Sequence, residues 1–210
     1  MFGTTLAQPD LAYLILAVSP TLWLFILIVA TLVLVLSHAW RIALLALLIH
    51  YLALGGLVLQ LGPAARSGLR ILMGGLICLV LFLTARRLED GRRTHGGRVI
   101  SRTQVSAFVF RLAAVALAGV GVFGTSIPVR FPSLPAHLVL ASAWLAILGL
   151  VVALISRAAL WAGIGLVMAE SGFETLYTAL DPRLMTAGLL AMGSLLLALA
   201  VAVVVTSADQ

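Results

Sequence analysis

Charged residues are scarce in this chain of 210 residues: only 10% are charged, whereas 63% are hydrophobic. An average soluble domain has about 25% charged and about 45–50% apolar residues. The deficit excludes an ordinary water-soluble domain. It predicts a polytopic membrane protein with a single membrane domain over residues 1–210.

Alternation of polar and apolar residues is lacking in the long apolar runs, such as LWLFILIVATLVLVL and GSLLLALAVAVVV. A membrane barrel would require that alternation, so the runs predict helices instead. Several of them reach the roughly 20 residues that cross a hydrocarbon core of about 30 Å. The expected fold is an all-α bundle of transmembrane helices.

Cysteine is nearly absent, since Cys78 is the only one and lies within an apolar run. An internal disulfide and a cysteine-rich metal site are therefore excluded. The sequence also lacks a phosphate loop, a nucleophile elbow, a dinucleotide fingerprint and metal-ligand spacing. We expect no cofactor, no bound metal and no substrate chemistry from this chain alone.

The apolar runs, and the turn signals between them, predict seven helices. Their expected bounds are 11–36, 40–61, 68–85, 103–124, 136–155, 158–180 and 183–206. Six helices are the alternative, because Ser19-Pro20 either kinks the first helix or marks its true start. The N-terminus lacks the basic region of a secretory signal, so we expect the first apolar run to remain as a span.

Lysine is absent, and all 13 positive charges are arginine. Six of them lie in the hydrophilic linker 86–102 between the third and fourth helices. The positive-inside rule makes this linker cytoplasmic, with the N-terminus outside and the C-terminus inside the cell (inner) membrane. Four arginines then face outward: Arg66, Arg70, Arg130 and Arg183. The linker is either a docking surface for an adjoining subunit or a loop at the lipid headgroups, and nucleic acid is not expected as a partner.

Acidic residues number only seven, yet Glu170 and Glu174 both fall within the predicted sixth helix. They lie one turn, about 6 Å, apart on one face, and an acidic residue at mid-span costs about 2.5–3.5 kcal/mol on insertion scales. Two neighbouring carboxyls in an apolar environment resist ionising together, so the pair could share a proton. The alternative is that they tie helices together through hydrogen bonds.

Other polar residues are possible auxiliaries to this pair. Tyr177, Thr178 and Asp181 continue along the same helix face toward its predicted outer end, as an access path from one surface would. His50, in the second helix, is either a proton relay to the glutamates or the partner in an interhelical hydrogen bond. Arg111, in the fourth helix, is either an anchor that snorkels to the interface or a counter-ion.

Several segments of the chain are similar to one known family. ISRAALWAGIGLVMAESGF resembles a segment in component E of the membrane-bound, formate-hydrogenlyase-type hydrogenases. In that family a helix has a Met-Glu-Asn-Gly core, and here the core reads Met168-Ala169-Glu170-Ser171-Gly172. LSHAWRIALLALLIHYLAL, LFLTARRL and IPVRFPSLP are similar to its second helix, the basic end of its third helix and the loop before its fifth helix.

The resemblance implies a small subunit beside antiporter-like subunits in a complex-I-like or hydrogenase-like assembly. Residues 136–206 would correspond to the subunit-K type of respiratory complex I, and Glu170 to a glutamate of the proton path. No redox centre is implied. Met73 stands where the family has a lysine, and the seventh helix, MTAGLLAMGSLLLA, lacks the family's acidic residues. Glu174 either compensates for one of these losses, or the chain has kept only a scaffold role.

Three functions therefore remain open. The first is an integral membrane subunit of an ion-translocating complex, in which Glu170 and Glu174 carry protons and His50 relays them. Such a subunit would be a non-catalytic part of an oxidoreductase or ion pump. The second is a structural subunit that bridges larger membrane proteins. The third is an independent small transporter or channel, but the sequence has no convincing internal repeat of the kind such proteins use.

Overall fold

The structure is a computed structural model that describes residues 20–37, 39–60, 64–94, 103–124, 134–181 and 183–207. These ranges form seven α-helices and contain no strand. The helices are α1 (Pro20–Leu36), α2 (Trp40–Leu59), α3 (Ala64–Thr94), α4 (Thr103–Gly119), α5 (Ala136–Ile155), α6 (Ala159–Leu180) and α7 (Leu184–Ser207). A π-helical turn, Val120–Gly124, follows α4 directly. The predicted all-α bundle is confirmed.

α3 departs most from its predicted bounds. It begins at Ala64 and ends at Thr94, whereas the hydropathy pattern predicted 68–85. The first part of the basic linker 86–102 is therefore helical. Hydropathy marks the part of a helix that crosses the membrane, but backbone hydrogen bonds can continue beyond it. The predicted start of the first helix, including Ser19, lies outside the described residues.

Four of the described helices have segments long and apolar enough to cross a membrane: α2, residues Ala64–Glu89 of α3, α5 and α7. α6 is not among them, because its two carboxyls lower its mean hydropathy. It lies instead between two of these helices, with its most extensive contacts to α5 and further contacts to α7. The helix that contains the two glutamates is thus flanked by apolar ones.

Glycines bring the backbones of α5 and α6 into direct contact. A Cβ atom added to Gly165 would lie 2.5 Å from the backbone nitrogen of Ala153, and one added to Gly172 would lie 2.7 Å from that of Ala146. No side chain fits at either position. The spacing of Gly165 and Ala169 alone predicts a close helix contact, and the structure identifies α5 as the neighbour. This contact fixes which face of α6 turns toward α2, α3 and α7.

We expect Gly165→Ala to lower the free energy of unfolding by about 1–3 kcal/mol, because the new methyl group meets backbone that cannot give way. Gly75→Ala in α3 is the matched control, since a Cβ at Gly75 has no neighbouring atom within 4 Å. That control should be neutral or slightly stabilising. Thermal unfolding of the purified protein in detergent tests both variants. Equal melting temperatures for the two would contradict the close contact.

Candidate functional site

A buried ion pair joins α3 to α6. Arg70 Nη2 lies 3.6 Å from Glu174 Oε2, and the two residues are only 5% and 6% exposed. The same Nη2 donates hydrogen bonds to Ser171 O (2.7 Å) and to Thr175 Oγ1 (2.8 Å). The guanidinium therefore supplies both a counter-charge and two hydrogen bonds to one face of α6.

The position of Arg70 corrects the sequence analysis, which placed this arginine on the outer surface. Arg70 lies almost two turns into α3, and its side chain turns inward to α6 instead of toward solvent. A signal was present in the sequence, because Arg70 is one helical turn before Met73, where the family has its lysine. The structure thus places a buried cation on α3, at Arg70.

His50 contacts the same stretch of α6 from α2. Its Nε2 lies 3.0 Å from Ser171 Oγ, and the side chain is completely buried. Ser171 Oγ also lies 2.7 Å from Met168 O. Both contacts are satisfied when the hydroxyl donates to Met168 O and His50 Nε2 donates to the hydroxyl, and Nδ1 then carries the free lone pair. The sequence allowed two roles for His50, a proton relay or a partner in an interhelical hydrogen bond, and the structure contains the interhelical hydrogen bond. Among the described residues, His50 has no direct hydrogen bond to either glutamate.

Glu170 occupies a different environment from Glu174. It lines an open groove between α6 and α7 whose other lining residues are Leu166, Ala169, Phe173, Gly193, Leu196, Leu197 and Ala200. Its Oε2 is buried and makes no hydrogen bond to any described residue. At membrane depth a carboxyl without a cation beside it costs least in its neutral form. The two glutamates, equivalent in the sequence, are therefore chemically distinct.

Two of the predicted auxiliary residues lie near Glu174 or the end of α6. Thr178 is buried and lines a small cavity together with Glu174. Asp181, in the connection to α7, accepts hydrogen bonds from the Arg183 backbone N–H (3.1 Å) and the Thr186 hydroxyl (2.8 Å). These two hydrogen bonds, of which the one from Thr186 has the larger effect, hold the pKa of Asp181 below its usual range. Asp181 thus ties the start of α7 to the end of α6.

The structure places the other two auxiliaries away from the site. Tyr177 is 40% exposed and packs against Phe173, with ring centroids 6.0 Å apart. It therefore does not continue the buried polar face. Arg111 lies over the Trp161 ring at 5.2 Å and donates to Val35 O at 3.4 Å, so it anchors α4 to α1 and α6. Among the described residues, Arg70 is the arginine within ion-pair distance of a glutamate of α6.

Three residues that build this site were not among the predicted site residues: Arg70, Ser171 and Thr175. Ser171 stands where the family core has asparagine, and it links α6 to His50 through its hydroxyl and to Arg70 through its carbonyl. Thr175 accepts from Arg70. A serine or threonine in a helix is not by itself a signal, because such residues often hydrogen-bond only to their own backbone. Among the described residues, no group of His, Cys, Asp and Glu could hold a metal ion.

Comparison with known proteins adds no relative: no protein-family model, no curated protein and no solved structure matches this chain. The resemblance to component E of the hydrogenases therefore rests on the sequence segments quoted above. The geometry of the site does not depend on that resemblance. It consists of two carboxyls one turn apart: Glu174 pairs with a guanidinium, whereas Glu170 has Ser194 as a hydrogen-bond partner and no ion pair with a described cation.

We expect Arg70→Met to lower the free energy of unfolding by about 3–5 kcal/mol, because it leaves Glu174 buried without a cation. Arg41→Met is the matched control. It breaks the exposed pair with Glu89, whose side-chain nitrogen and oxygen are 3.3 Å apart, and should cost at most about 1 kcal/mol. The double variant Arg70→Met/Glu174→Met should recover most of the loss. Thermal unfolding tests the series, and equal effects of Arg70→Met and Arg41→Met would contradict a buried ion pair.

We expect a hydrophobic carbodiimide to modify Glu170 and not Glu174. The reagent adds a protonated carboxyl across its C=N bond, and the groove leaves Glu170 accessible from the apolar side, whereas Arg70 shields Glu174. Mass spectrometry of the labelled protein should locate the adduct at Glu170, and Glu170→Gln should abolish it. Glu89→Gln, whose carboxyl pairs with Arg41 away from the site, is the control that should still be labelled at Glu170. An adduct located at Glu174 would reverse the assignment of the two environments.

Proposed function

We propose that this chain is an integral membrane subunit of a complex-I-like or hydrogenase-like ion-translocating assembly, next to antiporter-like subunits. In this proposal Glu170 and Glu174 take part in proton transfer, and the chain itself catalyses no redox reaction. The observation that carries the proposal is the unequal pairing of two mid-helix carboxyls beside one buried guanidinium. The resemblance of the surrounding segments to component E supports it.

Of the described arginines, Arg70 lies within ion-pair distance of one of the two carboxyls, whereas the charge of Arg66 acts on Asp181. One paired guanidinium and two carboxyls favour a single shared proton. Arg70 can neutralise only one carboxylate, and a second negative charge in an apolar environment is costly. The other carboxyl is therefore best stabilised by a proton, and in the structure this is Glu170. If Glu170 loses its proton, the nearby guanidinium becomes the available counter-charge, and Glu174 becomes the better proton acceptor. The pair can in this way hold a proton and pass it on without accumulating charge.

His50 has a secondary place in this proposal. The ring hydrogen-bonds to Ser171, the residue that follows Glu170 in the sequence. Arg70 contacts the same residue through its carbonyl oxygen. The free Nδ1 can accept a proton. A relay through His50 then requires an intermediary, because the ring has no hydrogen bond to a glutamate among the described residues.

The groove at Glu170 supports a role within a larger assembly. It opens to the side of the bundle, and Ala169 and Gly193 in its lining allow a neighbouring helix to approach closely. A helix of an adjoining subunit seated there could supply the hydrogen bond that Glu170 Oε2 lacks. The linker 86–102 remains, as in the sequence prediction, either a docking surface for an adjoining subunit or a loop at the lipid headgroups on the cytoplasmic side.

A structural subunit is the second candidate, and the hydrogen-bonded network itself favours it. His50, Arg70, Ser171 and Thr175 join α2, α3 and α6 through buried hydrogen bonds of 2.7–3.0 Å. Such a network ties helices together whether or not protons move. The Glu170 carboxyl, which hydrogen-bonds to Ser194 but has an Oε2 without a partner among the described residues, is the feature that this candidate leaves unexplained.

Proton translocation by the intact complex in vesicles distinguishes the two candidates. Glu170→Gln keeps the size of the side chain and removes its proton, so we expect the rate to fall by about ten-fold or more with assembly intact. Glu174→Gln should also slow translocation, because Arg70 is then free to pair with Glu170. Glu89→Gln, at the far end of α3, serves as a control with no expected effect. Native rates in both mid-helix variants would leave the structural subunit as the function.

A further inference from the structure

A small cavity lies between α2, α3, α6 and α7, next to the ion pair on the side where α6 ends. Its polar lining residues are Arg66, Arg70, Glu174 and Thr178, and Val58, Leu69, Ala187 and Ala191 complete the lining. The cavity offers a volume of about 10 Å³. That is about the smallest space that holds one water molecule.

Three polar atoms of these lining residues make no hydrogen bond to any described residue: Arg66 Nε, Arg70 Nε and Thr178 Oγ1. Arg70 and Thr178 are each 5% exposed, so bulk solvent does not satisfy them. Buried polar groups in proteins are almost always hydrogen-bonded, directly or through ordered water. Glu174 adds a carboxylate whose Oε2 is 3.6 Å from Arg70 Nη2, longer than a hydrogen bond.

We propose that this cavity binds a single ordered water molecule that bridges the Arg70–Glu174 ion pair to Thr178 and Arg66. The two Nε–H groups match the two lone pairs of a water molecule, and its two O–H groups match the Glu174 carboxylate and Thr178 Oγ1. The lining thus offers four partners of complementary type. A water molecule in a buried site typically has two to four such partners.

The charges around the cavity select water over an ion. Hard cations bind through several oxygen ligands, whereas this lining supplies side-chain oxygens only from Glu174 and Thr178. The two guanidinium groups of Arg66 and Arg70 also repel a cation. An anion would face the Glu174 carboxylate in a space no larger than a water molecule. A neutral ligand is the one that meets no repulsion.

Through the water molecule, the network of polar contacts around Glu174 would extend by more than one helical turn along α6. Arg66 and Thr178 both lie closer than Glu174 to the connection between α6 and α7, where Asp181 is located. The inference deepens the proposed function by giving the ion pair a hydrated link toward that end of the bundle. It rests on the cavity and its lining atoms, and it does not require proton transfer to occur.

An experimental structure of the full chain in lipid nanodiscs, at a resolution that shows ordered water, tests the proposal. We expect a peak about 2.7–3.2 Å from both Glu174 and Thr178 Oγ1. Thr178→Val, which removes the hydroxyl at nearly constant size, should abolish the peak, and Thr178→Ser should retain it. A native cavity without the peak, or one closed by direct contact of Arg66 with Glu174, would overturn the proposal.

Thermal unfolding in sodium chloride and in choline chloride of equal ionic strength supplies a second measurement. A water site predicts the same melting temperature in the two salts. A sodium-dependent rise that Thr178→Val abolishes would identify a cation site instead.

The water peak together with native translocation in Glu170→Gln would refute only the proposed function. A dry cavity together with lost translocation would refute only the water site.

Discussion

The interaction on which the site depends is the contact of the Arg70 guanidinium with one face of α6. In a low-dielectric interior an uncompensated carboxylate is costly, and α6 has two carboxyls within one turn. Arg70 neutralises Glu174 and also binds Ser171 O and Thr175 Oγ1. Because the Arg70 guanidinium pairs with Glu174, it does not pair with Glu170. Glu170 lies in a groove, and its Oε2 makes no hydrogen bond to a described residue. The difference between the two glutamates thus follows from the position of the Arg70 guanidinium, which lies within ion-pair distance of Glu174.

The glycine contact between α5 and α6 makes this arrangement possible. Gly165 and Gly172 turn one face of α6 against the backbone of α5, which leaves the opposite face for α2, α3 and α7. A rotation of α6 would take Ser171 and Thr175 out of reach of Arg70. Packing by small residues, which carries no chemistry of its own, therefore sets the orientation of the polar residues.

The sequence by itself determined the helices, because backbone groups in a membrane must be satisfied within each segment and only continuous apolar helices achieve this. The bounds of α5 were predicted without error, and those of α2, α6 and α7 to within two residues. It also determined that Glu170 and Glu174 share a face, since helical spacing is local. Only the tertiary structure decided which glutamate is paired. Arg70 meets Ser171 across 101 positions, and His50 meets the same residue across 121. Local periodicity contains no information about contacts at such separations, which depend on how the helices rotate and pack against one another.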